Sequence, residues 1–372
     1  MWRALVTNGI LAWKARSGAM RGLKSLQRLD ESVMTLDDNN PVNRAKVALE
    51  AGNLAASLRF WNEAIARYPN FAKGSPDALK ILLGLRLFDD ADALMREAQI
   101  RTPRDPRPAG DYALVAERRG DIKEAILRWD RVRKKFPRYP AGYIHGSLCL
   151  RLDGQLDAAE ALSQKAIRLF PDEMPVHIER AKLAERQRDW PETLRRWEVV
   201  SDKFRNVEGD VGAARTLIEM GDFDEADRRL KQAQTKRPLM EVIAVTRARL
   251  AERRGNKEEE VLCWADVVRR FPLLPLGYRE GIRLLLDMGR EADADAILLA
   301  AIDRFSDEAW PMIEHARLAN RQKDWATAVT RWAGVRARWP DRNEAYVGGA
   351  AALAALGRQD EAAELKAEYQ RR

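Results

Sequence analysis

The stretch Ala319–Pro340 has the sequence ANRQKDWATAVTRWAGVRARWP, and close copies of it recur along the chain. The copies begin at Ala116 (AERRGDIKEAILRWDRVRKKFP), Ala184 (AERQRDWPETLRRWEVVSDKF) and Ala251 (AERRGNKEEEVLCWADVVRRFP), and a fainter one at Ala48. The central tryptophans of the five copies are spaced 68, 68, 67 and 68 residues apart: Trp61, Trp129, Trp197, Trp264 and Trp332. A spacing this regular indicates an internal repeat, which decides the architecture before any other feature.

From about Asp38 the chain divides into ten units of 33–34 residues, each with the pattern of a helix, a short turn and a second helix. The first helix of most units ends near a glycine, which tolerates the left-handed turn that stops a helix: Gly52, Gly120, Gly154, Gly221, Gly255, Gly289 and Gly357. The second helix usually ends near a proline, but Arg205 and Ser306 stand in two of these places. Proline therefore marks the boundary without being required.

These features resemble the tetratricopeptide repeat family, whose 34-residue pattern has small residues at positions 8 and 20, glycine near 15 and proline at 32. With Pro272 taken as position 32, the seventh repeat starts at Glu241. Small residues then recur at position 8 in eight of the ten repeats and alanine at position 20 in seven. The resemblance covers residues 38–372. It implies an all-α fold, a right-handed α-solenoid of about ten helix-turn-helix repeats of the bacterial type.

Alternate repeats differ at one pair of positions. The tryptophan repeats carry alanine at position 11 and tryptophan at 24, whereas the repeats between them carry leucine at 11 and a smaller or flexible residue at 24. Because protein interiors are close-packed, a large ring needs a small residue opposite it. The alternation predicts a size-compensated pair and a 68-residue double repeat as the structural unit. In the weaker alternative, the tryptophans are stacking platforms for sugars or bases.

Residues 1–28 contain six basic residues and no acidic one. Their apolar residues fall mostly at helical spacing, which predicts a basic amphipathic helix within residues 1–37, separate from the repeats at 38–372. Two roles stay open for it: a cap over the first repeat, or peripheral contact with a partner or an anionic membrane surface. Lys14 and Arg16 directly follow the apolar run, which argues against a secretion signal. We predict a cytoplasmic location, at the inner membrane if the helix binds lipid.

The sequence contains no recognisable catalytic constellation. It has no glycine-rich phosphate loop, HExxH motif, Cys/His cluster or GxSxG elbow. His315 occupies the repeat position of Arg180, which favours a solvated surface place over a catalytic one. Cys149 and Cys263 have no CxxC spacing and are most simply small buried side chains in a reduced compartment. We therefore predict no enzyme activity, no metal and no cofactor.

In the family that the repeats resemble, the first helices line a concave groove through positions 2, 5, 9, 12 and 13. These positions hold fifteen basic and eight acidic residues here, an excess close to the net charge of +8 of the whole chain. The predicted partner-binding residues are Lys182, Arg186, Arg215, Arg249, Arg253, Arg279, Arg283, Arg317, Asn320 and Arg321. Arginine forks suit carboxylate and phosphate groups. In the alternative interpretation, glutamate and arginine neighbours pair across adjacent repeats and only solvate the face.

Three functions follow from these features. The first is a non-catalytic scaffold whose basic groove holds an acidic or extended protein partner. The second, which depends on resemblance, is an accessory subunit of membrane-associated surface-polysaccharide or glycosyltransferase machinery. The third is nucleic-acid binding, which ranks last because Trp310 is the only aromatic residue found at the groove positions.

Overall fold

The computed structural model describes residues 40–67 and 77–371, which form two compact units that divide between Asp222 and Phe223. The helices of the first unit are α1 (Pro41–Glu50), α2 (Leu54–Arg67), α3 (Ala78–Gly84), α4 (Phe88–Arg101), α5 (Pro106–Arg119), α6 (Ile122–Lys135), α7 (Pro140–Leu152), α8 (Leu156–Leu169), α9 (Met174–Gln187), α10 (Trp190–Phe204) and α11 (Val207–Met220). Those of the second unit are α12 (Phe223–Lys236), α13 (Glu241–Arg254), α14 (Lys257–Arg270), α15 (Pro275–Asp287), α16 (Glu291–Arg304), α17 (Trp310–Arg321), α18 (Trp325–Arg338), α19 (Asn343–Ala355) and α20 (Gln359–Gln370).

Odd-numbered helices are the first helices of the repeats and even-numbered helices are the second helices, so that α19 and α20 form repeat 10. All regular secondary structure in the described ranges is α-helical, which confirms the predicted all-α repeat fold. None of the helices in these ranges has the length and apolar character to cross a membrane. The amphipathic helix predicted within residues 1–37 lies outside the described residues.

Each of the ten repeats reverses direction at position 15 through a residue in the left-handed region of the backbone. Seven of these residues are the predicted turn glycines, with φ between 72° and 89°. The other three are Arg86, Arg188 and Lys323, with φ of 58° or 59°. A side chain in this conformation costs free energy because its Cβ atom crowds the backbone. The packing of the two helices therefore imposes the turn on these three residues.

Replacing Lys323 by glycine is expected to raise the free energy of unfolding by about 1 kcal/mol, since glycine adopts this turn without the Cβ penalty. The Lys323 side chain is exposed and has no ion pair with the described residues, so no contact is lost. Urea unfolding followed by circular dichroism measures the change. Gly255→Ala is the matched control at the same repeat position and is expected to destabilise. A neutral or destabilising effect of Lys323→Gly would contradict the argument.

The two places without a predicted proline have different structural explanations. Arg205 ends α10 with a φ of 49°, which proline cannot adopt because its ring holds φ near −65°. The same turn explains why repeat 5 is one residue short and why one tryptophan spacing is 67. At Ser306 the preceding residue, Phe305, has a backbone conformation (φ −111°, ψ 50°) close to that of the residues that precede proline in other repeats, such as Phe136 and Phe271. Proline is therefore excluded at Arg205 and dispensable at Ser306.

The five central tryptophans are packing residues. Their exposed fractions lie between 0 and 4%, and the residues at position 11 that alternate with them in size are also buried. Trp129 shares a hydrophobic cluster with Ala116, and Trp332 shares one with Ala319. This burial supports the size-compensated pair and leaves no exposed ring at these positions for a sugar or a base.

In three of the repeats that follow a tryptophan repeat, the residue at position 6 of the first helix lies against the tryptophan ring. Trp129 stacks on His145 with ring centroids 4.9 Å apart and an interplanar angle of 13°. The corresponding residues in repeats 6 and 10 are Gly212 and Gly348, where an added Cβ atom would overlap the ring of Trp197 or of Trp332. A tryptophan at position 24 therefore constrains two neighbours, of which only position 11 is apparent from the alternation.

The second helices of the tryptophan repeats begin at a side-chain N-cap. In each of them the residue at position 16 accepts a hydrogen bond from a backbone N–H of the first helical turn: Asn53, Asp121, Asp189, Asn256 and Asp324. Such caps stabilise a helix by about 1 kcal/mol. In these five repeats a side-chain N-cap on the second helix therefore accompanies the central tryptophan.

An arginine precedes the tryptophan in three repeats and joins each of them to the repeat before it. The interrepeat arginines, as they are called below, are Arg128, Arg196 and Arg331. Each pairs with a carboxylate at position 21 of the preceding repeat and donates to the carbonyl at position 7 of its own: Asp92 and Tyr112 for Arg128, Glu160 and Arg180 for Arg196, Asp295 and His315 for Arg331. Arg128 and Arg196 are 7% and 8% exposed. These contacts stabilise the stacking of adjacent repeats within each unit.

Candidate partner-binding face

The candidate site comprises, in each unit taken by itself, the surface made by positions 2, 5, 9, 12 and 13 of the first helices, called the first-helix face below. In the first unit, two of the predicted cations pair with a carboxylate on a neighbouring first helix. Lys182 Nζ lies 3.6 Å from Glu208 Oε1, and Arg215 Nη2 lies 3.3 Å from Glu185 Oε1. Glu185 Oε1 also accepts a hydrogen bond of 2.8 Å from the buried Trp197 Nε1. The buried Trp197 side chain thus fixes the Glu185 carboxylate that pairs with Arg215.

In the second unit, carboxylates from two repeats surround Arg283. Its Nε lies 2.8 Å from Glu280 Oε2 and its Nη1 lies 3.4 Å from Asp287 Oδ2, both on α15. Its Nη2 lies 3.6 Å from Glu252 Oε1 on α13. The hydrogen bond with Glu280 raises the pKa of Arg283 above its ordinary value. The chain itself therefore supplies more than enough negative charge to neutralise this cation.

Both arginines predicted on α17 are also engaged. Arg317 Nη1 lies 2.6 Å from Glu314 Oε1, one turn earlier on the same helix. Arg321 Nη2 donates to the carbonyl of Leu286 (2.8 Å), and its Nε lies 3.3 Å from Glu291 Oε1. Leu286 and Glu291 belong to the preceding repeat. Arg321 therefore joins two repeats in addition to facing the surface.

The remaining predicted arginines are exposed on first helices. Arg186 lies on α9, Arg249 and Arg253 on α13, and Arg279 on α15. Within residues 40–67 and 77–371, Arg186, Arg249 and Arg279 form no ion pair. Arg279 instead places its guanidinium 4.7 Å from the centroid of the Trp310 ring, a cation–π contact. The face therefore contains both cations that the chain neutralises and cations that it leaves without a carboxylate.

A pocket of about 480 Å³ opens on this face between α15 and α17. Its apolar lining is Ile282, Leu286 and Trp310, and its charged lining is Arg279, Arg283, Arg321, Asp287 and Glu314. Ile282 is only 4% exposed, so the apolar part is set into the repeat. The structure thus brings together three of the predicted arginines with apolar side chains that were not among the predicted site residues.

Asn320 differs from the other predicted residues. Its Oδ1 atom is buried and has no hydrogen-bond partner among the described residues, as is also true of Trp332 Nε1. Asn320 and Trp332 occupy positions 12 and 24, where repeat 5 has the hydrogen-bonded pair of Glu185 and Trp197. By this equivalence, Asn320 belongs to the packing around Trp332 more than to the exposed face.

The side chains of His315, Cys149 and Cys263 are at least partly buried within the repeats. His315 Nε2 lies 3.0 Å from Asp295 Oδ1, and burial lowers the pKa of His315. Only 13% of this side chain is exposed, so the expectation of a solvated position is wrong: the imidazole joins the Asp295 contact of Arg331. Burial raises the pKa of Cys149 to about 12 and that of Cys263 to about 11. Both thiols therefore stay protonated, and unreactive as nucleophiles, at neutral pH.

Sequence reasoning identified the arginines of the face but not their neutralisation or the apolar lining beside them. Ile282 and Leu286 carry a detectable signal, because they lie four residues apart on one side of α15. The pairing of Arg317 with Glu314 was also detectable from their spacing of three residues. Contacts between repeats, such as that of Arg321 with Glu291, have no local signal.

Comparison with known proteins agrees with this geometry. Residues 111–174 match the profile of the family described as "Tetratricopeptide repeat". No curated protein matches the chain. Among solved structures, a tetratricopeptide repeat protein from Parabacteroides merdae is similar over 67% of this chain and 98% of its own, at 14% identity and a TM-score of 0.47. Yeast Tom70 is similar over 99% of this chain and 91% of its own, at 15% identity and a TM-score of 0.46.

A thermophilic tetratricopeptide repeat protein of Thermus thermophilus is similar over 47% of this chain and 94% of its own, at 22% identity and a TM-score of 0.39. The family match at residues 111–174 covers α6, α7 and α8 and the greater part of α5. The same register of turn glycines, buried alanines and second-helix packing continues through the other described repeats. Residues 111–174 therefore match the tetratricopeptide repeat family, and the other described repeats share the same helix-turn-helix fold.

Proposed function

We propose that the chain is a non-catalytic scaffold whose first-helix face holds an acidic, extended segment of a protein partner. The tetratricopeptide repeat is a fold of protein-interaction scaffolds, which supports a protein partner in general terms. The observation that carries the acidic preference is the set of three exposed arginines, Arg186, Arg249 and Arg279, that form no ion pair with the described residues. Each guanidinium offers five N–H donors in a geometry that suits carboxylates.

The alternative interpretation, in which charges on this face only pair with one another, accounts for part of the face. It describes Lys182, Arg215, Arg283, Arg317 and Arg321, whose charges meet carboxylates of the same chain. It does not describe the three arginines above. We therefore assign the paired cations to the framework of the face and the others to the partner.

The other candidate functions have weaker support. Nucleic-acid binding calls for exposed rings between basic residues, whereas the central tryptophans are buried and carboxylates such as Glu252 and Asp287 lie among the cations. A role beside membrane-associated polysaccharide enzymes depends on membrane contact by residues 1–28, which lie outside the described residues. That contact stays a prediction.

The proposal is tested by selecting peptides on the full-length protein at physiological ionic strength. The probe is a phage-displayed library of random peptides about a dozen residues long, the size of segment that such a groove accommodates. Recovered peptides are expected to be rich in Asp and Glu, and the double variant Arg249→Glu/Arg279→Glu is expected to lose them. The matched control reverses two exposed arginines of second helices, Arg269→Glu/Arg338→Glu, which should retain binding. Failure to recover any peptide, or equal loss in both variants, would overturn the proposal.

A further inference from the structure

The geometry points to an anchoring subsite in the pocket between α15 and α17. We propose that this pocket accepts an apolar side chain of the partner segment, flanked within two residues by a carboxylate that binds Arg279. The inference rests on the proposed function, because it names which side chains of the acidic segment are held and where.

The apolar component of the ligand follows from the lining of the pocket. Ile282 and Leu286 lie one turn apart on α15, and Trp310 lies at the start of α17, so the three form one apolar surface. A volume of about 480 Å³ lies within the usual range for ligand pockets. It has room for one large side chain and its flanking backbone, and not for a folded surface. Because the pocket is shaped to that size, the apolar side chain is the part of the segment that contributes most to anchoring.

The carboxylate follows from the pairing of the charges that line the pocket. Asp287 pairs with Arg283, and Glu314 pairs with Arg317 just outside the pocket. Arg321 is held by Glu291 and by a backbone carbonyl. Arg279 is the lining cation that has no carboxylate partner among the described residues. A ligand carboxylate can therefore bind Arg279 without breaking an ion pair of the chain.

Contact with the Trp310 ring limits the movement of the Arg279 side chain before a carboxylate binds. The ring beneath the guanidinium restricts the rotamers of the arginine and occupies one of its faces, while its N–H groups remain available at the edge. Less conformational entropy is then lost when a carboxylate binds. Arg249 lies one turn before Glu252 on α13, and Arg279 one turn before Arg283 on α15. The Glu252–Arg283 contact joins these two helices on the first-helix face.

A protein segment fits this pocket better than a nucleic acid does. One face of the Trp310 ring is already covered by Arg279, which leaves little surface for a stacked base. Asp287 and Glu314 would repel the phosphates that follow one another at short intervals along a nucleic-acid strand. A segment with a single carboxylate beside an apolar residue avoids that repulsion.

The test uses one peptide recovered from the selection on the full-length protein, with binding measured by fluorescence anisotropy. The recovered peptides are expected to share an apolar residue within two positions of Asp or Glu. Arg279→Ala is expected to raise the Kd at least about tenfold, whereas Arg269→Ala leaves it unchanged. Arg279→Lys keeps the charge but not the fork and should be intermediate. Thermal unfolding of each variant shows whether it remains folded.

A double-mutant cycle identifies the contact itself. Changing the acidic residue of the peptide to its amide should weaken binding to the wild-type protein about tenfold and binding to Arg279→Ala much less. Equal losses in the two proteins, or recovered peptides without the apolar–acidic pair, would overturn the subsite while leaving the acidic face in place. Absence of any peptide that depends on the first-helix face would overturn the proposed function itself.

Discussion

Replacing Arg196 by alanine is expected to lower the free energy of unfolding by about 2–3 kcal/mol. The guanidinium is 8% exposed and donates to Glu160 of the preceding repeat (2.9 Å), to Glu192 on its own helix (2.6 Å) and to the carbonyl of Arg180 (2.8 Å). Alanine would remove both hydrogen bonds of Arg196 to Glu160 and leave that half-buried carboxylate only its longer contact with Arg180 (3.5 Å). Breaking a buried ion pair by removing one partner costs far more than breaking an exposed pair, because the remaining charge is not solvated.

The neighbouring residue supplies a matched control. Arg195 also pairs with Glu192, but 60% of its side chain is exposed, so Arg195→Ala is expected to cost less than about 1 kcal/mol. Urea unfolding of the wild type and of both variants, at about pH 7 and at about pH 3.5, measures the difference. Equal costs for the two substitutions at about pH 7 would contradict the role assigned to Arg196.

The pH dependence of this effect has a definite sign. Burial acts to raise the pKa of Glu160, but the hydrogen bonds from Arg196 and Gln164 leave it below the ordinary value of 4.5. A carboxyl with a depressed pKa stabilises the folded state above its unfolded pKa and loses that contribution as the pH falls. The cost of Arg196→Ala should therefore be largest near neutral pH and shrink below about pH 4.5.

Replacing Gly212 by alanine is expected to lower the free energy of unfolding by about 2 kcal/mol, although alanine favours helices more than glycine does. Gly212 lies in α11, where an added Cβ atom would overlap the indole ring of Trp197. That ring is completely buried and cannot move away, since its other side packs within its own repeat. The steric cost therefore exceeds the gain of about 1 kcal/mol in helix propensity.

Gly334 provides the matched control for this substitution. It lies inside α18, and the nearest atom to an added Cβ is the terminal methyl group of Met312 at 3.4 Å. Gly334→Ala is therefore expected to stabilise the protein by up to about 1 kcal/mol. A smaller ring should relieve the overlap, so Gly212→Ala should cost less in a Trp197→Phe background than in the wild type. An unchanged cost in that background would exclude the ring as the cause.

The destabilisation expected for Arg196→Ala and for Gly212→Ala arises from contacts that leave only a weak signal in the sequence. An arginine directly precedes the central tryptophan at residues 128–129, 196–197 and 331–332, and a carboxylate lies 36 residues before each of these arginines. The sequence interpretation used the tryptophan of this dipeptide and not the arginine, because a surface charge and a buried charge look alike in a single sequence. The glycine at position 6 was similarly invisible, because only two of the described tryptophans pack against one.

The sequence predicted which residues the first-helix face contains, but not which of their charges are paired. Positions taken from the repeat register placed nine basic residues and Asn320 on first helices. Which of those cations meet a carboxylate depends on side chains about one repeat away, such as Glu185 and Arg215, which are 30 residues apart. It also depends on the direction in which each side chain extends, which differs between equivalent positions: Arg283 contacts several acids, whereas Arg249, one repeat earlier at the same position, contacts none among the described residues.

The amino-acid sequence alone was sufficient for the helical class, the register of the ten repeats, most of the turns and the burial of the tryptophans. It was sufficient because those features follow from local signals that recur at a fixed spacing, so ten copies reinforce one interpretation. The folded chain was needed to separate Arg279 from Arg283, to show that Asn320 Oδ1 is buried, and to bring Ile282, Leu286 and Trp310 into one pocket. Pairing, burial and pocket shape arise between repeats, where a change in one side chain's neighbours alters its role without altering its position in the sequence.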